Sequence, residues 1–249
     1  MNDKKEYPYV SILMSVYNGD RFLNESIQSV LQQTFSDFEF IIIDDGSVDE
    51  SAKIINSYKH TDTRIKVFTR ANSGLTESLN FGLKKAKGKW LARIDADDAW
   101  NASKLEKQIR YVMEHNDVVL LGTGCEVVDD LSETIRQYRY TRNSRRLISQ
   151  LVEGGKFFPH SSAFIRCSEL NKLGGYRPNF QRAQDQDLWL RMSEIGVISC
   201  LPETLVLVRK HRSQLSLSQN GEKQYIYSNL ALVSYQLRKL NFVDPADFA

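Results

Sequence analysis

Short apolar segments alternate with amphipathic segments along the first half of the chain. Four apolar segments predict β-strands, namely Val10–Val16, residues 38–43, Ile65–Thr69 and the segment that begins at Trp90. Four segments with apolar residues every three or four positions predict helices at residues 21–33, 49–59, 75–87 and 103–114. This alternation indicates an α/β fold, with a mixed, mostly parallel central sheet flanked by helices.

Polar clusters follow three of these strands at the point where each strand ends. Their sequences are YNGD at residues 17–20, DDGS at 44–47 and DADD at 95–98. Ligands of parallel sheets bind beyond the carboxyl ends of the strands. The three clusters together therefore predict a binding site at one edge of the sheet.

The DADD cluster has the composition of a cation site. Asp95 and Asp97 are two positions apart, so their side chains share one face of an extended backbone. Two such carboxylates repel each other unless a cation lies between them or one is protonated. A hard divalent ion such as Mg²⁺ or Mn²⁺ satisfies this requirement. The alternative interpretation is an acidic loop that caps the following helix.

The alternation breaks after Val118. Apolar segments predict strands at residues 118–122, 125–128, 157–166 and 204–208, and periodic segments predict helices at 144–153, 184–195 and 222–240. No internal repeat or linker separates a second independent domain. We therefore expect a single folded body with a helical C-terminal segment.

The composition limits the class of protein but does not identify a binding partner. The 249 residues carry 33 basic and 31 acidic side chains, a net charge of +2 that indicates neither nucleic acid nor membrane as a partner. There is no leading apolar run and no stretch near the ~20 apolar residues of a spanning helix. Cys125, Cys167 and Cys200 lack metal-site spacing and are expected to be reduced core thiols. A cytoplasmic location follows.

Two common nucleotide-binding patterns are not matched. No G-x-G-x-x-G follows the first strand, which argues against a dinucleotide-binding fold. Residues 82–89 resemble a P-loop, but five residues separate the glycines and Trp90 stands where Ser or Thr should hold magnesium. We interpret Gly88 as a helix stop and Lys89 as a solvated residue.

Four segments carry a more specific resemblance. They read VSILMSVYNG, IIIDDGSVDES, ANSGLTESLNFGLKKAKGKWLARIDADDAW and AQDQDLWLR. Their order and spacing resemble family 2 glycosyltransferases, which have the nucleotide-sugar-binding GT-A fold, over residues 10–216. The resemblance implies a domain at 1–220, with a donor half at about 8–122 and an acceptor half at about 123–220, followed by a C-terminal helix and tail at 221–249.

The resemblance also implies a donor-binding site and a metal site. Nucleotide-sugar contacts are expected from Ser15, Tyr17, Asn18, Asp45, Arg70, Asn72, Gly74, Asp95 and Ala96. Asp45 would accept a hydrogen bond from the base, although Arg70 is as readily a surface cation. Mn²⁺ or Mg²⁺ would be held by Asp97, with Asp95 and His211 in support. Asp98 is expected to cap helix four or to order the loop, and Asp44 and Ser47 to cap helix two.

Two carboxylates compete for the role of catalytic base. The family pattern places the base at Asp185, although Gln184 stands where relatives have glutamate. Asp187 is four positions before Arg191 on a predicted helix, which favours an ordinary ion pair. We therefore expect Asp185 to take the proton of the acceptor hydroxyl in a single inverting displacement. His160, in a turn, is expected to be structural.

The implied activity is the transfer of a single sugar, because the Q-x-x-R-W motif of processive members is missing from the sequence. A UDP-sugar donor and a glycan or lipid-linked acceptor of surface polysaccharide synthesis are expected. The alternatives are a sugar nucleotidyltransferase, which would need a glycine-rich basic signature after the first strand, and a non-catalytic nucleotide-sugar-binding protein.

Two stretches lie outside this site. Residues 136–146 carry five arginines and favour a basic flap, a patch for anionic lipid or a solvated edge over a nucleic-acid surface. In the last helix, apolar residues recur at Ile226, Leu230, Val233, Leu237 and Leu240. Packing of this stripe on the body is the first expectation; a homodimer or a peripheral contact with the inner membrane face is the alternative.

Overall fold

The computed structural model describes residues 7–154, 157–211 and 221–247. The elements are, in order, β1 (Val10–Val16), α1 (Asp20–Leu31), β2 (Phe38–Asp44), α2 (Ser51–Lys59), β3 (Ile65–Thr69), α3 (Leu75–Leu83), β4 (Trp90–Arg93), β5 (Ala99–Trp100), α4 (Lys104–Glu114), β6 (Val118–Val128), β7 (Thr134–Tyr138), α5 (Ser144–Val152), β8 (Phe164–Arg166), α6 (Cys167–Lys172), α7 (Gln184–Ser193), β9 (Val197–Arg209) and α8 (Gly221–Lys239). Short 3₁₀ helices cover His160–Ser162 and Pro245–Asp247.

One mixed sheet organises these elements. Its strand order is β3-β2-β1-β4-β8-β6-β9-β5, and β7 pairs with β6 outside this path. β1, β2, β3 and β4 pair in parallel, as do β6 and β9, whereas β8, β5 and β7 pair antiparallel to their neighbours. The predicted α/β fold with a mixed, mostly parallel sheet is confirmed.

The alternation of side chains along the strands divides the core into two layers. On β4 and the residue after it, Trp90, Ala92 and Ile94 belong to one hydrophobic cluster, whereas Leu91 belongs to the other. The second cluster also includes Leu188 and Trp189 of α7. Because side chains alternate, residues 93 and 95 follow Leu91 toward the α7 side of the sheet. This places Asp95 on the same side of the sheet as the predicted base.

The second half departs from the predicted elements in several places. Residues 118–128 form one strand because glycine at 122 and 124 allows close packing; a Cβ at Gly122 would lie 2.1 Å from the Phe158 ring. The predicted strand at 157–166 is a strand only at Phe164–Arg166, after a 3₁₀ turn at His160–Ser162, and β9 is far longer than predicted. Sequence reasoning missed α6 and β7.

The end of α3 was also predicted wrongly. The helix ends at Leu83 and not at residue 87, so Gly88 is not its stop. Gly88 instead lies against β1, where its N–H donates to Ser11 Oγ (2.8 Å) and an added Cβ would lie 2.4 Å from Ser11 N. Close approach of two backbones is therefore the reason for this glycine.

The last helix packs on the body through a different face from the predicted stripe. Ala231 and Ser234 are fully buried, and Arg238 donates to Glu194 (2.7 Å). Of the stripe residues, Ile226, Val233 and Leu240 are exposed. The expectation that this stripe covers the body is therefore wrong for these three residues.

Two expectations drawn from the composition can be compared with the structure. Cys125, Cys167 and Cys200 are buried and unpaired, as predicted for core thiols. Within the described ranges, no helix has both the length and the apolar character needed to cross a membrane.

Candidate active site

The loops after β1 and β2 are joined by Asn18. Its N–H donates to Ser47 Oγ (3.1 Å), and its side-chain oxygen accepts from Val48 N–H (2.9 Å). Asn18 has a φ of +50°, a left-handed conformation that Asn tolerates better than most residues. Tyr17 is 53% exposed beside it, and Ser15 is partly buried at the end of β1. Three predicted donor-site residues therefore share one edge of the sheet.

Asp45 anchors the loop that precedes α3. Its buried carboxylate accepts hydrogen bonds from Ser73 N–H (3.1 Å), Ser73 Oγ (3.1 Å), Gly74 N–H (2.9 Å) and Ser78 Oγ (2.7 Å). A carboxylate has about four acceptor sites, so these four donors occupy it. A hydrogen bond from a base would require one serine hydroxyl to turn away. Sequence reasoning did not assign this anchoring role.

The loop after β3 contacts the DDGS loop. A Cβ at Gly46 would lie 2.9 Å from Asn72 N and 3.2 Å from the Arg70 carbonyl oxygen, so the two backbones are in close contact. Arg70 lies along α3, where Nη1 donates to the Glu77 carbonyl (3.1 Å) and the guanidinium is 5.0 Å from the Phe81 ring. Gly74 adopts a φ of +89° at the start of α3.

Asp44 and Ser47 do not cap helix α2, contrary to the sequence prediction. Asp44 Oδ1 accepts from Ser47 N–H (3.0 Å) inside the turn, and α2 begins only at Ser51. Asp49 occupies the region before the helix instead, where its carboxylate accepts from Ser51 N–H (3.0 Å) and Asp20 N–H (3.1 Å). The two acids after β2 thus serve the turn and the Gly74 loop.

Asp95 is held by a buried cation that sequence reasoning missed. Arg93 is fully buried and its Nη2 donates to Asp95 Oδ1 (2.5 Å), while Ser161 Oγ donates to Oδ2 (2.8 Å). Burial by itself would raise the pKa of Asp95, but the positive charge of Arg93 and the neighbouring His160 and Ser161 bring that pKa below its usual value. Both oxygens of Asp95 are therefore engaged, and Arg93 supplies part of the charge balance expected from a metal.

Asp97 and His211 come together from distant parts of the chain. His211 Nε2 lies 3.0 Å from Asp97 Oδ2, and the Phe22 ring lies 5.2 Å from the imidazole centroid. Nε of the buried Arg209 donates to the Asp97 carbonyl (3.2 Å) and helps to fix the loop. Ala96 is fixed as well, because its carbonyl accepts from Ser26 Oγ (2.8 Å).

An oxygen and an imidazole nitrogen at this distance form a donor set that suits Mn²⁺ or Mg²⁺ with further ligands from a diphosphate. Among the described residues, no three His, Cys, Asp or Glu side chains are arranged as a complete metal site. The pair Asp97 and His211 therefore offers two of the ligands that a divalent ion would need, and the others would have to come from water or a bound ligand.

Asp98 orders the loop and does not cap α4. Its carboxylate accepts from Arg209 N–H (3.0 Å), and its Oδ2 contacts Ser161 Oγ, whose single hydrogen is shared between Asp98 and Asp95. Burial, followed by the charges of Asp97 and Asp95, raises the pKa of Asp98 well above its usual value. At the start of α4, Asn101 Oδ1 accepts from Ser103 N–H (3.0 Å) instead. Of the two roles predicted for Asp98, loop ordering is the one that the geometry shows.

One cleft of about 420 Å³ receives most of these acids. Its lining residues are Leu75, Asp95, Asp97, Asp98, Pro159, His160, Gln181, Arg182, Ala183, Gln184, Asp185, Val208 and Gln224. The volume lies in the range typical of small-molecule sites. Gln224 belongs to α8, so the C-terminal helix contributes to the cleft.

Asp185 enters this cleft from the first turn of α7. Its Oδ1 accepts from Gln186 N–H (2.9 Å). Burial raises the pKa of Asp185 above its usual value; the charge of Asp95 acts in the same direction, and the Gln186 hydrogen bond opposes it. A carboxylate with a raised pKa is a better proton acceptor, which suits a general base.

Asp187 and Arg191 form the buried ion pair that the sequence predicted. Arg191 Nε and Nη2 lie 2.9 and 2.8 Å from Asp187 Oδ2, and Asp187 is 1% exposed. Arg191 also donates to the carbonyls of Leu173 (3.1 Å) and Gly175 (2.9 Å). The pair fixes α7 against the turn at Gly174 and Gly175 and faces away from the cleft lining.

Replacement of Asp187 by Ala is expected to destabilise the fold. It leaves the Arg191 guanidinium buried without its carboxylate, which typically costs about 3–5 kcal/mol of unfolding free energy. Urea unfolding followed by circular dichroism measures the loss. The matched change Asp185→Ala, at a partly buried acid that forms no ion pair with a described residue, should cost far less. Equal losses would contradict the division of roles between the two acids.

His160 is structural, as expected, although it lines the cleft. Its Nε2 lies 2.7 Å from the Tyr176 hydroxyl, and its ring meets Trp189 edge-on at 5.6 Å. Burial, and then the positive charge of Arg93, lower the pKa of His160 to about 3. The imidazole is therefore neutral at physiological pH.

The residues that sequence reasoning missed share a recognisable signal. Arg93 and Arg209 are each buried at the end of a strand, directly after the apolar runs at residues 90–92 and 205–208. A charged residue within an apolar strand is costly unless an acid lies nearby. That pattern was available in the sequence and would have marked both residues as partners of the acidic loop.

The family of the chain follows from comparison with known proteins. The model of glycosyl transferase family 2 matches residues 11–174. The chain belongs to this family. It is therefore a glycosyltransferase, and the enzyme class that the sequence motifs implied is confirmed.

Two curated family members show the extent of the similarity. The O-antigen biosynthesis glycosyltransferase WbnJ of Escherichia coli is 34% identical over 184 residues, which cover 74% of this chain and 71% of that protein. The putative glycosyltransferase EpsE of Bacillus subtilis is 34% identical over 244 residues, covering 94% of this chain and 83% of that protein.

Solved structures of glycosyltransferases share the fold. Staphylococcus aureus TarS 1-349 in complex with UDP-GlcNAc matches with a TM-score of 0.77 at 21% identity, over 92% of this chain and 66% of that one. The mannosyltransferase PcManGT of Pyrobaculum calidifontis, in complex with GDP-Man and Mn²⁺, matches with a TM-score of 0.66 at 16% identity, over 98% and 68%. The chain thus spans about two thirds of these structures, and the predicted GT-A fold is confirmed.

Proposed function

We propose that this enzyme transfers a single sugar, with inversion, from a UDP-sugar to a hydroxyl of a glycan or lipid-linked acceptor in the synthesis of a surface polysaccharide. One observation carries the proposal: Asp95, Asp97 and Asp185 line the same cleft. The name of the WbnJ relative and the sugar nucleotides bound to TarS and PcManGT support the substrate class. The donor half is proposed at about residues 8–122 and the acceptor half at about 123–220.

The residues of the cleft have separable roles in this proposal. Tyr17 and Asn18 would contact the nucleoside, and Ser15 lies at the end of the preceding strand. The backbone atoms of Gly74 and Ala96 would contact the donor at the same edge of the sheet. Asp97 and His211 would hold a divalent ion, which neutralises charge on the departing diphosphate. Arg93 would keep Asp95 ionised and oriented, so that the remaining lone pairs of Asp95 could contact the ribose and support the ion held by Asp97.

Asp185 would act on the acceptor. Its carboxylate would accept the proton of the acceptor hydroxyl while that oxygen attacks the anomeric carbon from the face opposite the leaving diphosphate. A single displacement of this kind inverts the anomeric centre. The raised pKa of Asp185 increases its affinity for the proton of the acceptor hydroxyl.

The proposal is tested first by binding. UDP with Mn²⁺, at about 100 times its Kd, should stabilise the protein by about 2.7 kcal/mol, which corresponds to a rise in Tm of about 5–11 °C for a chain of this size. A thermal-shift screen of UDP, GDP and dTDP, each with Mn²⁺ or EDTA, makes the measurement. Stabilisation by GDP or dTDP alone would contradict the UDP assignment, and no response to any of them would contradict the function.

A non-catalytic nucleotide-sugar-binding protein is the second candidate. It would show the same thermal shift without release of UDP from a UDP-sugar. The presence of Asp185 in the cleft favours catalysis, and the Asp185 variant considered in the Discussion separates the two candidates.

Contacts outside the cleft are proposed from the exposed face of α8. Ile226 and Leu240 are 61% and 65% exposed, and Phe242 beyond the helix is 64% exposed. An apolar face of this kind suits either a second copy of the chain or the inner face of a membrane. Sedimentation velocity with and without anionic vesicles distinguishes the two.

A further inference from the structure

One wall of the cleft is formed by amide side chains and a single cation. Gln181, Arg182 and Gln184 line it next to Asp185, and Gln224 of α8 completes it. Among the described lining residues, Arg182 is the one lysine or arginine, whereas four are aspartates. An anionic substrate group entering this wall would be repelled by the carboxylates unless Arg182 received it.

Arg182 is fixed in place, but its charge is not neutralised by any described residue. Its Nη1 donates to the Gln181 carbonyl (3.1 Å), and its buried Nε has no hydrogen-bond partner in the described part of the chain. The nearby Arg191, in contrast, is paired with Asp187. A buried donor left without an acceptor costs about 1–3 kcal/mol. The arrangement is explained if a ligand supplies the acceptor.

The chemistry of that ligand follows from the guanidinium. Arginine presents parallel N–H groups that match the two oxygens of a carboxylate or phosphate. The neighbouring amides of Gln181, Gln184 and Gln224 both donate and accept hydrogen bonds, which suits sugar hydroxyls. The wall therefore has the composition of a site for an anionic sugar.

Arg182 is closer along the chain to the proposed base than to the proposed metal ligands. Arg182 and Asp185 lie on either side of Ala183, which has a φ of +52° and turns the chain into α7. The proposed metal ligands Asp97 and His211 belong instead to the loop after β4 and to the residues after β9. Arg182 is thus beside the proposed base, where the acceptor hydroxyl must lie.

We propose that Arg182 binds a carboxylate or phosphate group of the acceptor, and that the acceptor is an anionic sugar. This assignment rests on the proposed function, because Asp185 as the base defines which side of the cleft holds the acceptor. The amides of Gln181, Gln184 and Gln224 bind hydroxyls of the same residue. Arg182 is therefore a specificity-determining residue.

The test uses three simple glycosides as acceptor probes. Methyl β-glucuronide, methyl β-glucoside and methyl β-glucoside 6-phosphate differ only at C6, and their binding to the UDP- and Mn²⁺-loaded protein is measured by saturation-transfer NMR. The wild type is expected to bind one or both anionic probes about tenfold more tightly than the glucoside. Arg182→Gln should remove this preference, and comparison of the two anionic probes tells carboxylate from phosphate.

Two outcomes would overturn the proposal. A wild type that binds all three probes equally has no anion site in the acceptor region. An Arg182→Gln variant that loses affinity for UDP and keeps its preference among the probes would assign Arg182 to the donor diphosphate. The control Arg110→Gln, at an exposed arginine of α4, should behave as the wild type.

The probes also separate this proposal from the proposed function. If the wild type fails to bind any nucleoside diphosphate, the proposed function fails, and the titrations are repeated on the protein alone. If the protein alone then prefers the anionic probes, and the preference depends on Arg182, the anion site is supported but is no longer assigned to the acceptor.

Discussion

Replacement of Asp185 by Asn is expected to lower the rate of UDP release from the active UDP-sugar by about 10²–10⁴-fold, with little change in UDP affinity. The amide has the size of the carboxylate but cannot accept the proton of the acceptor hydroxyl. A coupled assay of nucleoside diphosphate release gives the rate, and calorimetric titration with UDP and Mn²⁺ gives the affinity.

The pH profile provides an independent check of the same residue. Because burial raises the pKa of Asp185, the rate should fall as the pH drops through a value above the ~4 of an ordinary carboxyl group. The residual activity of Asp185→Asn should lack this acid limb.

Asp187→Asn is the matched control for the base. It removes a charge two positions away and is expected to affect stability more than the rate per folded molecule. If Asp187→Asn alone abolished the rate while Asp185→Asn remained active, the base would have been assigned to the wrong carboxylate. A fully active Asp185→Asn would exclude Asp185 as the base, and a wild type that releases no UDP from any UDP-sugar would favour the non-catalytic candidate.

Replacement of Asp97 by Ala is expected to abolish turnover and to weaken UDP binding about tenfold or more in Mn²⁺, with no change in EDTA. The variant removes the one carboxylate that both lines the cleft and lies 3.0 Å from His211 Nε2. Titrations of UDP in Mn²⁺ and in EDTA, on the wild type and the variant, measure the metal-dependent part of the affinity.

Two further variants test whether the effect of Asp97→Ala comes from the loss of a metal ligand. His211→Gln should reduce the same metal-dependent affinity to a smaller extent, since the imidazole is the second member of the pair. Glu114→Ala, at an exposed acid at the end of α4, should leave it unchanged. Equal UDP affinity of Asp97→Ala and wild type in Mn²⁺ would exclude Asp97 as a metal ligand.

The prediction of the fold succeeded where local pattern and tertiary packing agree. In the first half, β1, β2 and β4 are buried on both faces, and helices such as α4 cover the sheet with one apolar side, so periodicity shows both. In the second half, β6 contains two glycines that read as a break but serve contact with Phe158 and neighbouring carbonyls. Such contacts join residues far apart in the chain and leave no local signal.

The prediction that the apolar stripe of α8 packs on the body was wrong for a related reason. Periodicity identifies a helix and its apolar positions, but it does not say which side meets the body. Ala231, Ser234 and Arg238 face inward because α7 and the C-terminal turn offer a small-residue contact and the acids Glu194 and Asp244. The larger residues Ile226 and Leu240 are left at the surface.

The sequence by itself determined the α/β fold, the family and the placement of acids at the ends of strands, because all three depend on spacing along the chain. Only the tertiary structure decided which partner each of those acids contacts. In the structure, Asp95 is hydrogen-bonded to the buried Arg93, and His211 contacts Asp97. Asp45 accepts a hydrogen bond from the Gly74 loop, and Asp187 pairs with Arg191 away from the cleft. The partner of a buried charge is chosen by three-dimensional proximity, since a low-dielectric interior strengthens near contacts between residues that the sequence separates.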